Sequence, residues 1–249
     1  MPSLAVVLLI GAGVGFLGGL LGKGGSAIAT PLLVAVGVPA MVAVAAPLPA
    51  TVPGTLLAAD RYRRHHLIDR RVLRGSIAAG LPATVLGALL TRWVSGASLV
   101  IVTEVVIVGL GVRLLLRPSD DDLDAAPHRA GGRRVLAVAA VTGLAAGLLA
   151  NSGGFLLAPL FISVLGLRVK SALGTSLAVA AALAVPGTLV HLALGHLDWP
   201  VVAAFAVGSI PLSGLGAQVA LRIDADRLER GYGVALVLMG ATSLLTGLH

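Results

Sequence analysis

The chain has 249 residues, of which 57% are hydrophobic and only 12% are charged, with a mean hydropathy of +1.00. A soluble domain carries about 25% charged residues, so the composition excludes an ordinary soluble protein and indicates an α-helical protein that crosses a membrane several times. The net charge of +7 comes from basic residues in short loops between apolar runs, where they indicate topology and not nucleic-acid binding. There is no cysteine, which excludes disulfides and thiolate metal sites.

Apolar segments follow one another along the whole chain. In the first half they are predicted as helices over residues 3–21, 26–37, 38–59, 75–93 and 97–116. In the second half they are predicted over residues 135–150, 154–166, 169–190, 201–221 and 231–248. The third segment holds Pro47, Pro49 and Pro53, so we expect it to be kinked and irregular. A basic loop, residues 60–74, and a polar stretch, residues 117–134, are the most strongly charged connections.

The two halves repeat each other. GLLGKGGSAIATP at residues 19–31 recurs as GLLANSGGFLLAP at residues 147–159, an offset of 128 residues. AVAAPL at residues 43–48 likewise corresponds to ALGTSL at residues 172–177, now at an offset of 129. We therefore predict an all-α polytopic membrane protein with a first transmembrane repeat at residues 1–117, a polar cytoplasmic linker at 118–134 and a second repeat at 135–249.

Each repeat is predicted to hold a Gly-rich broken helix pair and three full transmembrane helices. The helix that follows each break is too short to cross a hydrocarbon layer of about 30 Å alone. If the basic loop from Arg61 to Arg74 faces the cytoplasm, nearly all other basic residues also lie inside, provided that the two repeats are inverted. Whether each broken pair is a re-entrant hairpin or two crossings stays open, which gives about 8–10 membrane segments.

The two breaks are the predicted substrate site. A break in a helix frees backbone N–H groups and turns the positive end of a half-helix inward, which favours an anion. Backbone of this kind is tolerated at membrane depth only where it lines a cavity or is covered by protein. The residues predicted to bind substrate here are Gly22, Lys23, Gly24, Gly25 and Ser26 in the first half, and Asn151, Ser152, Gly153 and Gly154 in the second. The alternative is that the glycines only permit tight helix packing.

One cation and three hydroxyls complete the predicted site. A lysine inside the membrane costs about 3 kcal/mol on an insertion scale and usually marks a function. Lys23 either supplies positive charge to a bound anion or lies near the surface and extends to water. Thr51, Thr175 and Ser176 either donate hydrogen bonds to an oxyanion or bond to carbonyls of their own helices.

Motifs for catalysis and nucleotide hydrolysis are absent from the sequence. There is no HExxH, no GxSxG and no P-loop. The chain is therefore predicted not to be an enzyme, not to hydrolyse ATP, and to need no metal and no cofactor. The expected partners are a small anionic substrate and the lipid bilayer, with no nucleic acid, and a homodimer is left open.

The order of these features resembles the TauE/SafE sulfite exporter family of probable membrane transporter proteins. The resemblance rests on GLLGKGGSAIATPLLVAVGVP, on RRHHLIDRRV and on the later GLLANSGGFLLAPLFISVLGL, ALGTSLAV and GHLDWPVV, and it covers residues 5–245. The first half departs from the family's pattern, because AVAAPL replaces a sequence like LGTSL and Lys23 sits in a glycine motif that is usually uncharged.

The resemblance implies a secondary transporter, an exporter of a small sulfur-containing anion such as sulfite or an organosulfonate, in the bacterial inner membrane. Two alternatives stand beside it. The first is a carrier of another small ion or metabolite on the same scaffold. The second is a membrane scaffold protein that transports nothing.

The charge distribution gives a first testable prediction. Reporter fusions at His249 should be active only outside the cytoplasm, and fusions within residues 61–74 only inside it, because the basic loop is retained on the cytoplasmic side. A fusion at His249 that is active in the cytoplasm would contradict the inverted arrangement.

Overall fold

The computed structural model describes residues 3–22, 26–90, 105, 108–116, 131–148 and 154–246. The elements within these ranges are all helices, as the sequence predicts. They are α1 (Leu4–Leu20), α2 (Ser26–Ala35), α3 (Ala40–Ala45), α4 (Pro47–Arg64), α5 (Arg70–Leu90), α6 (108–116), α7 (Gly132–Leu148), α8 (Gly154–Ser163), α9 (Val169–Ala193), α10 (Trp199–Arg222) and α11 (Ala225–Thr246).

Long apolar helices make this a polytopic membrane protein. Within the described ranges, four stretches are long and apolar enough to cross a membrane: Ala40–Arg64, Arg70–Leu90, Val169–Ala193 and Trp199–Arg222. The apolar helix α1, with 17 residues, is at the lower limit of a spanning helix. Helix α9 lies at the centre, in contact with α4, α5 and α8.

The helices that follow the two breaks are short, as predicted. Helices α2 and α8 have ten residues each. At 1.5 Å per residue each is about 15 Å long, roughly half of the hydrocarbon layer. The expected irregularity of the third segment is also present: α3 ends at Ala45, and α4 starts at Pro47, whose nitrogen has no proton to continue the ladder.

The prediction of a basic loop over residues 60–74 is wrong, because most of this stretch is helical. Helix α4 continues to Arg64 and α5 starts at Arg70, which leaves only residues 65–69 between them. On α4, the carboxylate of Asp60 accepts from Arg64 Nε at 2.7 Å, one turn further along. The arginines in this last turn also face the negative end of the helix dipole. Charge marks helix ends here, not the absence of a helix.

Asp69 starts the next helix. Its carboxylate accepts hydrogen bonds from the backbone N–H groups of Arg71 at 2.8 Å and Val72 at 2.9 Å, which satisfies two donors that the first turn of α5 leaves free. Asp198 acts in the same way for α10, where it accepts from the Val201 N–H at 3.2 Å. The recurring aspartate of the two halves is thus a helix cap.

A glycine-lined contact joins α1 to α10. A Cβ atom added at Gly15 would overlap the carbonyl oxygen of Ser209, and one added at Gly19 would overlap the carbonyl oxygen of Ser213. The two backbones therefore touch, and only glycine permits this distance. Spaced small residues of this kind are how helices approach closely inside a membrane.

An equivalent contact joins α7 to α5. Here Gly143 and Gly147 face the carbonyl oxygens of Gly80 and Thr84, which added Cβ atoms would overlap. These positions correspond to those of the first contact at the repeat offsets, 128 residues for α1 and α7 and 129 for α5 and α10. The first helix of each half thus packs against a long helix of the other half.

The contact between α1 and α10 gives a second prediction. Gly19→Ala should lower the thermal stability of the purified protein in detergent, by about 1–3 kcal/mol, because the new methyl group overlaps a carbonyl that cannot move freely. Gly13→Ala on the same helix is the matched control, since a Cβ there meets nothing within 4 Å. Equal stability of the two variants would contradict the contact.

Candidate functional site

The sequence Leu173-Gly174-Thr175-Ser176 of α9 is the point where the first half is held against the second. Ser176 is fully buried, and its Oγ lies 2.6 Å from the carbonyl oxygen of Gly22 and 2.8 Å from that of Leu173. Gly22 has a φ of +66°, and a Cβ there would lie 2.6 Å from Cδ2 of Leu173. The end of α1, where the first break begins, is therefore fixed by α9 and requires glycine.

The same motif binds two further parts of the first half. Thr175 Oγ1 accepts a hydrogen bond from the backbone N–H of Asp69 at 3.0 Å. Gly174 lies against Tyr62, whose Cβ would be 2.6 Å from an added Cβ atom. The Ser176 hydroxyl therefore lies against main-chain carbonyls and Thr175 Oγ1 holds the short connection before α5, so both stabilise a junction.

Thr51 on α4 adopts one of its two predicted arrangements. Its hydroxyl donates to the carbonyl oxygen of Pro47 in its own helix, at 2.9 Å. Thr51 also lines a cavity, which brings it together with residues that the sequence did not single out.

This cavity lies between α1, α4 and α10 and has a volume of about 20 Å³, room for roughly one water-sized group. Its described lining is made of small, hydroxyl-bearing and apolar residues: Val14, Gly15 and Gly18 from α1; Ala50, Thr51, Gly54 and Thr55 from α4; and Phe205, Ser209 and Ser213 from α10. Within this described lining there is no charged side chain. On α1 it reaches Gly18, one turn and about 6 Å before Gly22.

Ser209 has a different hydrogen-bonding state from the threonines. Its side chain is 6% exposed, and its Oγ has no hydrogen-bond partner in the part of the chain that the structure describes. Thr51 and Thr55 instead donate to carbonyls of α4, the latter at 2.7 Å. A buried hydroxyl without a partner is unusual, because a lost hydrogen bond costs about 1–3 kcal/mol.

The cavity exists because of one difference between the halves. Gly54 corresponds to Leu183 at the offset of 129 residues. In the second half the Leu183 side chain lies against Gly80, with Cδ2 3.1 Å from where a Cβ would be. In the first half a Cβ at Gly54 would be 3.7 Å from the nearest atom, Cβ of Ser213, so the space beside Ser209 stays open.

Several predicted site residues lie outside the described residues, namely Lys23, Gly24, Gly25, Asn151, Ser152 and Gly153. Ser26 and Gly154 are the first residues of α2 and α8, so the short helices begin where the sequence predicts. The assignment of the breaks as the substrate site stays a prediction.

Ser209, Ser213 and Gly54 were missed by the sequence analysis. A signal for the serines was present, because they are four residues apart and therefore lie on one face of an otherwise apolar helix. Gly54 stands out only when the repeats are aligned and it is compared with Leu183.

Basic side chains cap helix ends at two other places. Lys170 Nζ donates to the carbonyl oxygen of Leu221 at the end of α10, at 3.0 Å. Arg113 donates to the carbonyl oxygen of Ser163, the last residue of α8, at 2.9 Å. Both cations meet the negative end of a helix dipole, so they stabilise the helix termini that they contact.

The apolar helices, the half-length helices and the enclosed polar cavity are typical of a membrane transporter. The profile of a family described as "Sulfite exporter TauE/SafE" matches residues 7–243. The chain belongs to the sulfite exporter TauE/SafE family.

Three relatives are similar over nearly their whole length. A probable membrane transporter protein of Xylella fastidiosa (strain 9a5c) is 30% identical over 248 residues, which cover 95% of this chain and 94% of the relative. The probable membrane transporter protein YjnA of Bacillus subtilis is 25% identical, with 97% of both chains covered. A probable membrane transporter protein of Haemophilus influenzae is 23% identical, covering 96% of this chain and 97% of the relative. No solved structure matches the chain.

The junction on α9 gives a third prediction. Ser176→Ala should lower thermal stability by about 1–2 kcal/mol, because the buried carbonyl oxygen of Gly22 loses its hydrogen bond. It should also speed maleimide labelling of a cysteine placed at Gly25, which is specific because the chain has no cysteine of its own. Thr188→Val is the control, since Thr188 on the same helix bonds only to Ala184 of that helix. Labelling that is unchanged by Ser176→Ala would mean that this bond does not hold the break.

Proposed function

We propose that the chain is a secondary transporter that exports a small, sulfur-containing oxyanion, such as sulfite or an organosulfonate, across the bacterial inner membrane. The observation that carries the proposal is the cavity between α1, α4 and α10, where hydroxyls and glycines meet inside a membrane protein of this family. A small site with a few convergent polar groups in an apolar setting is the usual form of a ligand site.

Hydroxyl groups suit the handling of an anion that must also leave. A hydroxyl donates a hydrogen bond to an oxyanion without a permanent charge. A transported ion has to be bound firmly enough to enter and weakly enough to be released. Ser209 and Ser213 can supply such contacts, whereas a pair of buried arginines would hold the anion more strongly.

The reciprocal contacts of the two halves support two inverted repeats that move against each other. Besides the contacts of α1 with α10 and of α7 with α5, a Cβ at Gly111 of α6 would lie 2.9 Å from the carbonyl oxygen of Gly233 on α11. A Cβ at Gly233 would in turn lie 3.0 Å from the carbonyl oxygen of Gly111. Pairing of this kind is expected for repeats related by a two-fold axis, and such repeats are the common basis of alternating access.

The breaks complete the proposed path. Helices α2 and α8 are half as long as the membrane is thick, so their N-termini at Ser26 and Gly154 are expected near its middle. The positive ends of these helices, with Lys23 beside the first, would attract an anion toward the cavity. Because the cavity takes only about one water-sized group, α4 must move away from α1 and α10 when a whole ion passes.

Transport assays on purified protein test the proposal. Proteoliposomes loaded with radiolabelled sulfite or methanesulfonate should release the label faster than liposomes without protein, with no need for ATP. Release of some other small ion, but of neither sulfur compound, would favour the alternative carrier. Release of no ion would favour the scaffold protein.

The cavity gives a fourth prediction. Gly54→Leu should reduce transport at least tenfold, because it places in the first half the side chain that occupies the corresponding space in the second. Gly54→Ala should retain part of the activity, since its Cβ meets ordinary contact distances of 3.7–3.8 Å. Gly13→Leu, where α1 has open space, controls for the added bulk. Full transport by Gly54→Leu would mean that substrate does not pass through this cavity.

A further inference from the structure

We propose that Ser209 is the residue that donates a hydrogen bond to the transported ion, and that the site takes singly charged oxyanions in preference to doubly charged ones. The inference rests on the proposed function and adds to it the binding residue and the charge of the substrate. It starts from the one hydroxyl of the cavity lining that is known to be buried and without a partner.

Ser209 is the free donor of the cavity. Its Oγ is buried and has no partner among the described residues, and its residue lines the open space. The hydroxyl protons of Thr51 and Thr55 are used by the carbonyl oxygens of Pro47 and Thr51. These threonines can therefore offer a ligand only acceptor lone pairs, while Ser209 can offer a proton.

The position of the neighbouring backbone keeps this donor in place. The carbonyl oxygen of Ser209 lies directly against Gly15 of α1, so α10 cannot rotate there without overlap. The hydroxyl thus lies at a fixed place between two helices, which is what orienting a ligand atom requires. The volume beside it suits one oxygen atom of a ligand in the state described by the structure.

The lining also limits the charge that can be bound. No Lys or Arg is among the described residues that line the cavity. The penalty for moving an ion out of water rises with the square of its charge, so a dianion loses roughly four times as much as a monoanion of the same size. Neutral hydroxyls compensate a monoanion far better than a dianion. Hydrogensulfite and alkylsulfonates carry one negative charge, whereas sulfate and fully deprotonated sulfite carry two.

Sulfite itself separates the two charge states. It changes between a monoanion and a dianion near neutral pH, while methanesulfonate remains a monoanion throughout. With equal pH on both sides of the liposome membrane, the apparent KM for total sulfite should fall as the pH is lowered from about 8 to about 6. The apparent KM for methanesulfonate should stay constant, and sulfate should not compete with either.

Ser209→Ala identifies the donor. It should raise the apparent KM for both anions at least tenfold, the size expected for one hydrogen bond to a charged group. Ser76→Ala is the matched control, because Ser76 on α5 is also buried with an unpartnered Oγ but does not line the cavity. Neither variant removes an existing hydrogen bond of the described chain, so both should fold, and Ser76→Ala should leave the KM unchanged.

Each outcome has a separate meaning. If Ser209→Ala and Ser76→Ala behave alike, Ser209 does not meet the ion and its hydroxyl is satisfied by trapped water. If sulfate competes, or if sulfite binds more weakly on acidification, the preference for one charge is wrong although transport stands. If wild-type protein moves neither sulfite nor methanesulfonate, the proposed function fails and this inference fails with it.

Discussion

The contact of helix backbones at glycine is the constraint on which the rest of the structure depends. In a bilayer, apolar side chains gain little by leaving lipid for protein, so helices associate mainly through close packing. Here Gly15 and Gly19 bring α1 against the carbonyl oxygens of α10, and Gly143 and Gly147 bring α7 against those of α5. These two contacts cross between the halves, so they join the repeats into one unit.

The cavity follows from this framework. Once α1 and α10 are fixed at backbone distance, the space between them and α4 depends on the side chains of α4 alone. Gly54 leaves that space open, whereas Leu183 fills its counterpart. The halves thus share a scaffold but differ in content, and one of them retains a polar, hydroxyl-bearing space inside an apolar protein.

Much of the fold was predictable, because apolar run length and glycine breaks act locally. The short helices α2 and α8 start at the predicted residues, Ser26 and Gly154. The prediction failed where charge was taken as the mark of a loop, since Asp60 and the arginines of α4 stabilise the end of a helix.

The candidate site was less predictable than the fold. The role of Ser176 depends on Gly22, a residue 154 positions away that meets it only after the halves have packed. In the same way, Ser209 becomes important only because α1 turns that face of α10 inward. A single sequence lists the polar residues of such a protein, but their partners come from long-range packing.

The exchange of helices between the halves has a consequence for how the protein is made. Helix α1 ends at Leu20, and its partner α10 begins at Trp199, so about 180 residues separate their appearance at the ribosome. At roughly 5–20 residues per second, α1 spends about 10–35 s in the bilayer with its glycine face uncovered. During that interval the face is open to other helices, including those of neighbouring nascent chains. The order of synthesis thus places the greatest risk of wrong pairing on the first helix to enter the membrane.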